Sequence, residues 1–313
     1  MHEEQTDLQP ALEEKLGNSS LPLFGNVLSA VEYWAETTTT TLRDVCLNKS
    51  FEISLEDLRE PWLLEPHGFP LRDSAAVAAV IESRRALEIG GPTPAELGIY
   101  DLMASCDNVA QFADPAHQRP GLGHDAVYNP LGRREMGRYI VADAHNLTGI
   151  VAPASYELVY ASHVLEHMRD PIRALLEWDH VLVPGGTLFL IVPWKQNTFD
   201  HFRAPNTLEQ LAQKYVRGDD AALGSDFEQT VRSIDMSMDY GFAPGSTFEA
   251  LRERTLGSAE GREMLHYHVF DFHLLQQVFY CLNYDVVAMD LLYPFHQVIV
   301  GTKVGVPAAA EAA

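Results

Sequence analysis

The chain has 313 residues, of which 46% are hydrophobic, enough to fill the core of one large domain or two modest ones. Its 44 acidic and 22 basic residues give a formal net charge of -22, which repels nucleic-acid phosphates and anionic membrane surfaces. The first residues lack the basic and then apolar order of a secretory signal, and no apolar run reaches membrane-span length. We therefore expect a cytoplasmic protein without nucleic-acid or membrane partners.

The N-terminal region, residues 1–80, shows no alternation of strands and helices. We expect it to form a helical cap over the rest of the protein or the contact surface of a homo-oligomer. A helix is predicted over residues 75–85, leading directly into the first strand.

The first predicted strand ends in a glycine turn within RALEIGGPTP, residues 85–94. Apolar residues flank Glu88, and Gly90 with Gly91 lets the backbone bend sharply and approach a ligand. Glu88 would repel a pyrophosphate but could hold a cationic or hydroxyl-bearing ligand, and the spacing is not the GxGxxG of a dinucleotide fold. These residues alone leave open whether the turn is a structural bend or a binding site.

Strands and helices then alternate, which predicts a mostly parallel, Rossmann-like α/β sheet of seven strands flanked by helices. Acidic and polar residues follow several of the strands, where the carboxyl ends of a parallel sheet form a ligand crevice. The predicted helices cover residues 94–106, 171–186 and 270–283. The later strands cover residues 109–115, 138–147, 156–162, 187–193, 284–292 and 296–304. Asp114 and Asp143 lie toward the ends of the first two of these strands, and Ser162 and His163 lie at the exit of the third.

The alternation stops after the fifth predicted strand, since residues 196–262 are polar and lack strand patterns. We expect this insertion to form a substrate lid. Residues 81–195 and 263–306 then make up the cofactor-binding domain, and residues 307–313 form a loose tail.

Four segments in this order, LEIGG, ADAHNL, YELVYASHVLEHMRDP and LVPGGTLFLIVP, resemble the sequential motifs of class I S-adenosylmethionine-dependent methyltransferases. The resemblance extends well over residues 85–195 and more weakly over 264–305. It is closest in kind to small-molecule enzymes that modify sugars and antibiotics. It implies S-adenosylmethionine as the cofactor and S-adenosylhomocysteine as the product.

The resemblance also implies where the cofactor lies. Glu88 and the backbone of Gly90 and Gly91 would line its methionine part. Asp114 would accept hydrogen bonds from the ribose hydroxyls. Asp143 and the Ala144 amide would hold the adenine, and Ser162 would project at the same edge of the sheet. As alternatives from the residues alone, Glu88 or Asp143 could cap the next helix or turn, and Asp114 could belong to an ordinary turn.

An acceptor alcohol or ammonium must lose a proton, and histidine is the side chain best matched to that task near neutral pH. The candidates are His163, His201, His266 and His268, on three segments that we expect to converge over the transferred methyl group. Which histidine is the base stays open. We interpret His167 as a structural member of the motif after the fourth strand.

A metal ion is not expected. Histidines and Asp200 do lie close together in sequence at 200–201 and 266–268, but neither HExxH nor a dense carboxylate cluster occurs. The sequence predicts methyl transfer to nitrogen or oxygen of a small polar metabolite. The acidity favours a cationic acceptor such as an amino sugar or an aminoglycoside antibiotic intermediate, held by carboxylates such as Asp200, Asp235, Asp239 or Glu209. The alternatives are a metal-assisted sugar O-methyltransferase, a non-catalytic subunit that binds S-adenosylmethionine, and a nicotinamide oxidoreductase, which would favour GxGxxG.

Overall fold

The computed structural model describes residues 75–110 except 96 and 98, 124–217, 230–238, 247–257, 265–292 and 294–304. Nearly all of the predicted N-terminal cap therefore lies outside the described residues, as do Asp114 and the tail 307–313. The predicted lid is described in part.

Eight strands form one sheet in the order β3-β4-β2-β1-β5-β6-β8-β7. The five strands from β4 to β6 in this order are parallel, whereas β3, β8 and β7 pair antiparallel with their neighbours. The strands are β1 Arg85–Ile89, β2 Ser105–Ala110, β3 Val127–Tyr128, β4 Gly137–Val141, β5 Tyr156–Ser162, β6 Leu182–Pro193, β7 Tyr284–Leu292 and β8 His296–Lys303.

Five helices begin and end within the described residues, and all five are short. Asp170 and Asp271 cap two of them, accepting hydrogen bonds from the backbone N–H of Arg173 and Leu274. None of the described helices combines the length and the apolar character that a membrane span requires. The helices are α1 Ala75–Ile81, α2 Pro171–Val181, α3 Leu208–Arg217, α4 Phe248–Gly257 and α5 Phe272–Cys281.

The sheet is buried on both faces, which explains the near-continuous apolar runs of its central strands. On one face α2 and α5 contribute Trp178 and Phe279 to a large apolar cluster. On the other face α1 and the segment after β1 contribute Ile81 and Tyr100 to a second cluster. Two layers of packing thus fix the sheet, and with it the edge where the strand ends meet.

The strand order reverses at β1, which has β2 on one side and β5 on the other. Ligands of open α/β sheets bind beyond the carboxyl ends of the strands at such a reversal. The antiparallel β8 begins at this edge too, because its first residue, His296, is paired with Pro193 at the end of β6.

The predicted Rossmann-like, mostly parallel fold is confirmed, with one strand more than the expected seven. The additional strand is β3, a two-residue edge strand that is too short to leave a pattern in the sequence. The second strand begins at Ser105, four residues before the prediction. Its Asp107 and Asn108 are polar yet buried, which hides the strand from an apolar pattern.

Two predicted helices differ from the structure. The described part of 94–106 forms turns and then enters β2, because Thr93 and Tyr100 bend this segment back onto Glu88. Helix α2 ends at Val181, and Leu182 is already extended, so the Pro-Gly-Gly sequence belongs to β6 and does not close the helix.

Candidate active site

The glycine turn after β1 can be built only from glycine. Gly90 and Gly91 have φ angles of 90° and 38°, in the left-handed region. A Cβ atom at Gly90 would lie 2.5 Å from Cγ2 of Val164, and one at Gly91 would overlap the carboxyl group of Glu88. The absence of side chains therefore lets the segment after β5 pack directly against the turn.

Glu88 lies beneath this turn and is fully buried. Its Oε1 accepts hydrogen bonds from the backbone N–H of Thr93 at 3.0 Å, from the Thr93 hydroxyl at 2.7 Å and from the Tyr100 hydroxyl at 2.8 Å. Its Oε2 accepts from the Tyr128 hydroxyl. Burial raises the pKa of Glu88, although these donors act in the opposite direction. Protein groups occupy both oxygens, so Glu88 shapes the turn and does not offer the ligand contact expected of it.

The backbone of Gly90 is also engaged. Its N–H donates to the carbonyl oxygen of Val109 at 2.8 Å, and its carbonyl oxygen accepts from the side-chain amide of Asn108 at 3.3 Å. The turn is thus held from β2 as well as from Glu88.

Asp143 and Ala144 follow β4 at the same edge. Asp143 Oδ1 accepts from the backbone N–H of His145 and contacts His145 Nδ1, both at 2.9 Å. The bond from the His145 ring, opposed by partial burial, lowers the pKa of Asp143 to about 2. Its side chain is 48% exposed, which leaves the carboxylate accessible to a ligand. The carbonyl oxygen of Ala144 accepts from the indole of Trp178 at 3.1 Å.

Ser162 ends β5 and His163 follows it with a φ of 54°. The backbone N–H of His163 donates to Ile191, and its Nε2 lies 2.6 Å from Nδ1 of His296. Burial and the neighbouring His163 lower the pKa of His296 to about 4, so this ring is neutral at pH 7. The His163 side chain is 31% exposed. A hydrogen-bonded pair of imidazoles therefore borders the switch point, one residue from the Val164 contact with the turn.

Glu166 lies behind His163 and is surrounded by imidazoles. Its Oε1 is 3.4 Å from Nδ1 of His163, 3.8 Å from Nε2 of His167 and 4.0 Å from Nε2 of His266. Burial opposes the ionisation of Glu166, but the three histidines outweigh it and lower its pKa to about 2. Within the described ranges neither carboxylate oxygen has a hydrogen-bond partner of acceptable geometry.

His266 is fixed from its other side by Asp200. Its Nδ1 lies 2.5 Å from Asp200 Oδ2, and Arg203 donates to Asp200 Oδ1 and to the His266 carbonyl oxygen, each at 2.7 Å. Burial raises the pKa of Asp200, but the bonds from His266 and Arg203 outweigh it and lower the pKa below its ordinary value. Asp200 therefore positions His266 and is not available as a carboxylate for a cationic substrate.

The remaining two predicted histidines occupy different environments. His201 has a side chain 25% exposed, with Nδ1 3.2 Å from the carbonyl oxygen of Thr198 and Nε2 3.4 Å from Asp235. His268 is only 3% exposed, and its Nε2 lies 3.3 Å from the carbonyl oxygen of Arg169. Burial lowers its pKa to about 3, so the ring is neutral and packed inside the protein. His268 is therefore a structural residue and does not make the acceptor contact that was predicted for it.

Sequence reasoning missed two residues of this edge. His296 opens a predicted strand, but only the antiparallel pairing of β8 with β6 shows that it meets His163. Glu166 lies within HVLEH, three residues after His163. On a tight turn this spacing places both side chains on one side, and it was the feature of the sequence that could have identified Glu166. Residues 164–167 form a 3-10 turn, which brings His163 and Glu166 to the same side.

Residues 122–190 match the family described as a methyltransferase domain, about a fifth of the chain. No curated protein matches the sequence.

Similar solved structures include an S-adenosylmethionine-dependent methyltransferase from Methanosarcina mazei, which is 14% identical. The alignment covers 74% of this chain and 99% of that chain, with a TM-score of 0.41. They also include one from Aquifex aeolicus, with 10% identity, coverage of 80% and 97%, and a TM-score of 0.42. A third is the 1,6-didemethyltoxoflavin N1-methyltransferase of Burkholderia thailandensis, crystallised with 1,6-didemethyltoxoflavin and S-adenosylhomocysteine, with 12% identity, coverage of 74% and 80%, and a TM-score of 0.41.

The domain match falls on β3 to β6, the part of the sheet that carries Asp143, Ser162 and His163. Residues 122–190 therefore match a methyltransferase domain on the strands beside the glycine turn, at the point where the strand order reverses.

Proposed function

We propose that this protein transfers a methyl group from S-adenosylmethionine to a nitrogen or oxygen atom of a small polar metabolite, with His163 and His296 taking the proton that the acceptor loses. The observation that carries this proposal is the 2.6 Å contact between the two imidazoles beside the glycine turn. Methyl transfer is an in-line displacement, so an enzyme contributes mainly alignment, exclusion of water and removal of the acceptor proton.

The residues at the switch point fit the cofactor. The turn presents only backbone atoms at Gly90 and Gly91. Neighbouring side chains leave no room for a Cβ atom at either residue. The accessible carboxylate of Asp143 can accept from the adenine amino group, with Ala144 beside it. Ser162 stands at the end of β5, and Asp114 remains the candidate for the ribose. The cofactor supplies an activated methyl group and a neutral thioether as the leaving group.

Glu88 contributes through the turn. By binding Thr93 and Tyr100 it folds the segment after β1 back onto the sheet. We therefore assign Glu88 to positioning the turn that the cofactor contacts.

The acceptor side consists of the imidazole pair. A neutral imidazole has one N–H and one lone pair, so two neutral rings in contact share one N–H across the 2.6 Å gap. A proton released by the acceptor adds to a ring nitrogen outside the 2.6 Å contact, and movement of the shared proton lets either ring carry the charge. The partial exposure of His163 allows an acceptor to approach, whereas the burial of His268 does not.

An amino sugar or aminoglycoside intermediate is the acceptor class that we infer from the charge of -22. Of the four carboxylates expected to hold it, Asp200 is already paired with Arg203 and His266. Asp235 is the better candidate, since its side chain is 21% exposed and lies 3.4 Å from His201. Affinity for such a cationic acceptor should fall as salt screens the attraction.

The test is release of S-adenosylhomocysteine with a panel of amino sugars, neutral sugars and phenols, at low and high salt. We expect turnover with amino sugars that weakens with salt. Turnover confined to neutral sugars or phenols would refute the acceptor class.

Two variants test the base. His163→Gln should lower kcat by roughly 10²–10⁴-fold, the usual contribution of general base catalysis, and His296→Gln should lower it by a smaller factor. Both should bind S-adenosylhomocysteine as the wild type does. The matched control is His273→Gln, an exposed histidine on α5. Full activity of His163→Gln would place the base elsewhere.

A further inference from the structure

We propose that Glu166, His167 and His266 bind one divalent transition-metal ion, and that zinc suits their donor atoms. Two imidazole nitrogens and a carboxylate oxygen are a recognised donor set for this ion. The residues join the turn after β5 to the segment before α5, behind the His163–His296 pair. The site adds a function to this region that methyl transfer itself does not require.

The donor atoms of Glu166, His167 and His266 converge on one place. The Nε2 atoms of His167 and His266 lie 3.8 Å and 4.0 Å from Glu166 Oε1, and the three ligand atoms are all within 4.8 Å of one another. Zinc bonds of about 2.0–2.2 Å place tetrahedral ligands roughly 3.3–3.6 Å apart. Small side-chain movements would therefore bring the three donors to bonding distance.

The rings of His167 and His266 are oriented with Nε2 toward Glu166. Nδ1 of His167 faces the carbonyl oxygen of Leu265 at 3.2 Å, and Nδ1 of His266 faces Asp200 Oδ2 at 2.5 Å. Both partners can only accept, so each Nδ1 carries the proton and donates it. In a neutral ring the lone pair is then on Nε2, and both lone pairs point to the Glu166 carboxylate.

This arrangement is the usual outer shell of a metal-bound histidine, whose second nitrogen donates to a carboxylate or a backbone carbonyl. Asp200 and Leu265 provide one of each. Arg203 in turn holds Asp200 and the His266 carbonyl oxygen, so His266 has little freedom to turn away.

The Glu166 carboxylate is buried and accepts no hydrogen bond within the described ranges. The residue is 1% exposed. A carboxylate whose oxygens accept no hydrogen bond keeps their lone pairs available for coordination of a cation.

The experiment is a calorimetric titration of the chelator-treated, full-length protein with Zn²⁺, repeated with Co²⁺ to record its visible spectrum. We expect one ion per chain and the intense absorption of tetrahedral Co²⁺. Glu166→Gln and His167→Gln should weaken Zn²⁺ binding by at least tenfold, and Asp200→Asn by about 10–100-fold, as outer-shell changes do.

His273→Gln controls for exposed histidines and should bind Zn²⁺ as the wild type does. Binding by Glu166→Gln that equals the wild type, or the absence of a stoichiometric site in the wild type, would overturn the proposal. If a variant does not fold, the wild-type Co²⁺ spectrum still decides, because a weak octahedral spectrum would contradict a buried tetrahedral site. S-adenosylhomocysteine titrated separately shows whether the cofactor site is intact, so the two proposals fail independently.

Discussion

Two buried glutamates stand at the carboxyl edge of neighbouring strands, and their surroundings are opposite. Glu88, in β1, is enclosed by donors, with Thr93, Tyr100 and Tyr128 binding its oxygens. Glu166, after β5, is as inaccessible but faces three imidazoles, of which His167 and His266 direct their donating Nδ1 atoms elsewhere.

The difference separates two uses of a buried charge. A carboxylate with all its hydrogen bonds satisfied by the protein organises local structure, as Glu88 does for the glycine turn. A buried carboxylate that two imidazole lone pairs face together is arranged as a ligand for a cation, as we propose for Glu166. The same residue type at the same edge thus supports the cofactor turn in one case and provides a ligand in the other.

Gly91→Ala should have the largest effect on the cofactor side. The new Cβ would overlap the Glu88 carboxyl group and approach Asn108 Nδ2 to 2.6 Å, at a φ of 38° that disfavours any side chain. We expect S-adenosylhomocysteine affinity to fall by more than about 100-fold, or about 2.7 kcal/mol, in a calorimetric titration.

Gly149→Ala is the matched control, because Gly149 has a φ of 86° but no atom within 4 Å of the place that a Cβ would occupy. It should lower the free energy of unfolding by about 1 kcal/mol and leave cofactor affinity unchanged. Equal losses of affinity in the two variants would show that backbone strain, and not the contact with Glu88, governs the turn.

Glu88→Gln should have a smaller effect, on stability. The amide keeps the shape but offers one acceptor oxygen where the hydroxyls of Thr93, Tyr100 and Tyr128 use two, which should lower the free energy of unfolding by about 1–3 kcal/mol. Denaturant unfolding measures it, with the exposed Glu82→Gln as the control.

The free energy of unfolding that Glu88→Gln loses should depend on pH in a defined direction. Burial raises the folded-state pKa of Glu88 above its ordinary value of 4.5, so the wild type gains stability from protonated Glu88. This gain is fully present below the unfolded-state pKa and is lost as the pH rises through the folded-state pKa. The difference between the wild type and Glu88→Gln should therefore be largest in acid and shrink toward neutral pH. A difference that grows with pH would contradict the raised pKa.

Much of the fold was predictable, because apolar runs such as 156–162 and 187–193 belong to strands buried on both faces. The failures arose where tertiary contacts outweigh local pattern. Thr93 and Tyr100 turn an expected helix back onto Glu88, and Asp107 is accepted in β2 because Tyr156 donates to it at 2.8 Å.

The site was predictable in outline only. Glu88 and His163 were identified as edge residues, but hydrogen-bond partners decide what each does, and the sequence does not reveal those partners. His296 could not be placed without the antiparallel register of β8, and the contact of Glu166 with His266 joins residues 100 positions apart. Asp114 stays a prediction, as does the N-terminal cap.

The affinity of S-adenosylhomocysteine for the variants Glu88→Gln and Glu166→Gln tests most directly whether Glu88, and not Glu166, supports the cofactor turn. We predict that Glu88→Gln weakens binding by about tenfold, or about 1.4 kcal/mol, because the turn loses its support, and that Glu166→Gln changes it by less than about twofold. Unchanged affinity in Glu88→Gln together with a large loss in Glu166→Gln would contradict the account.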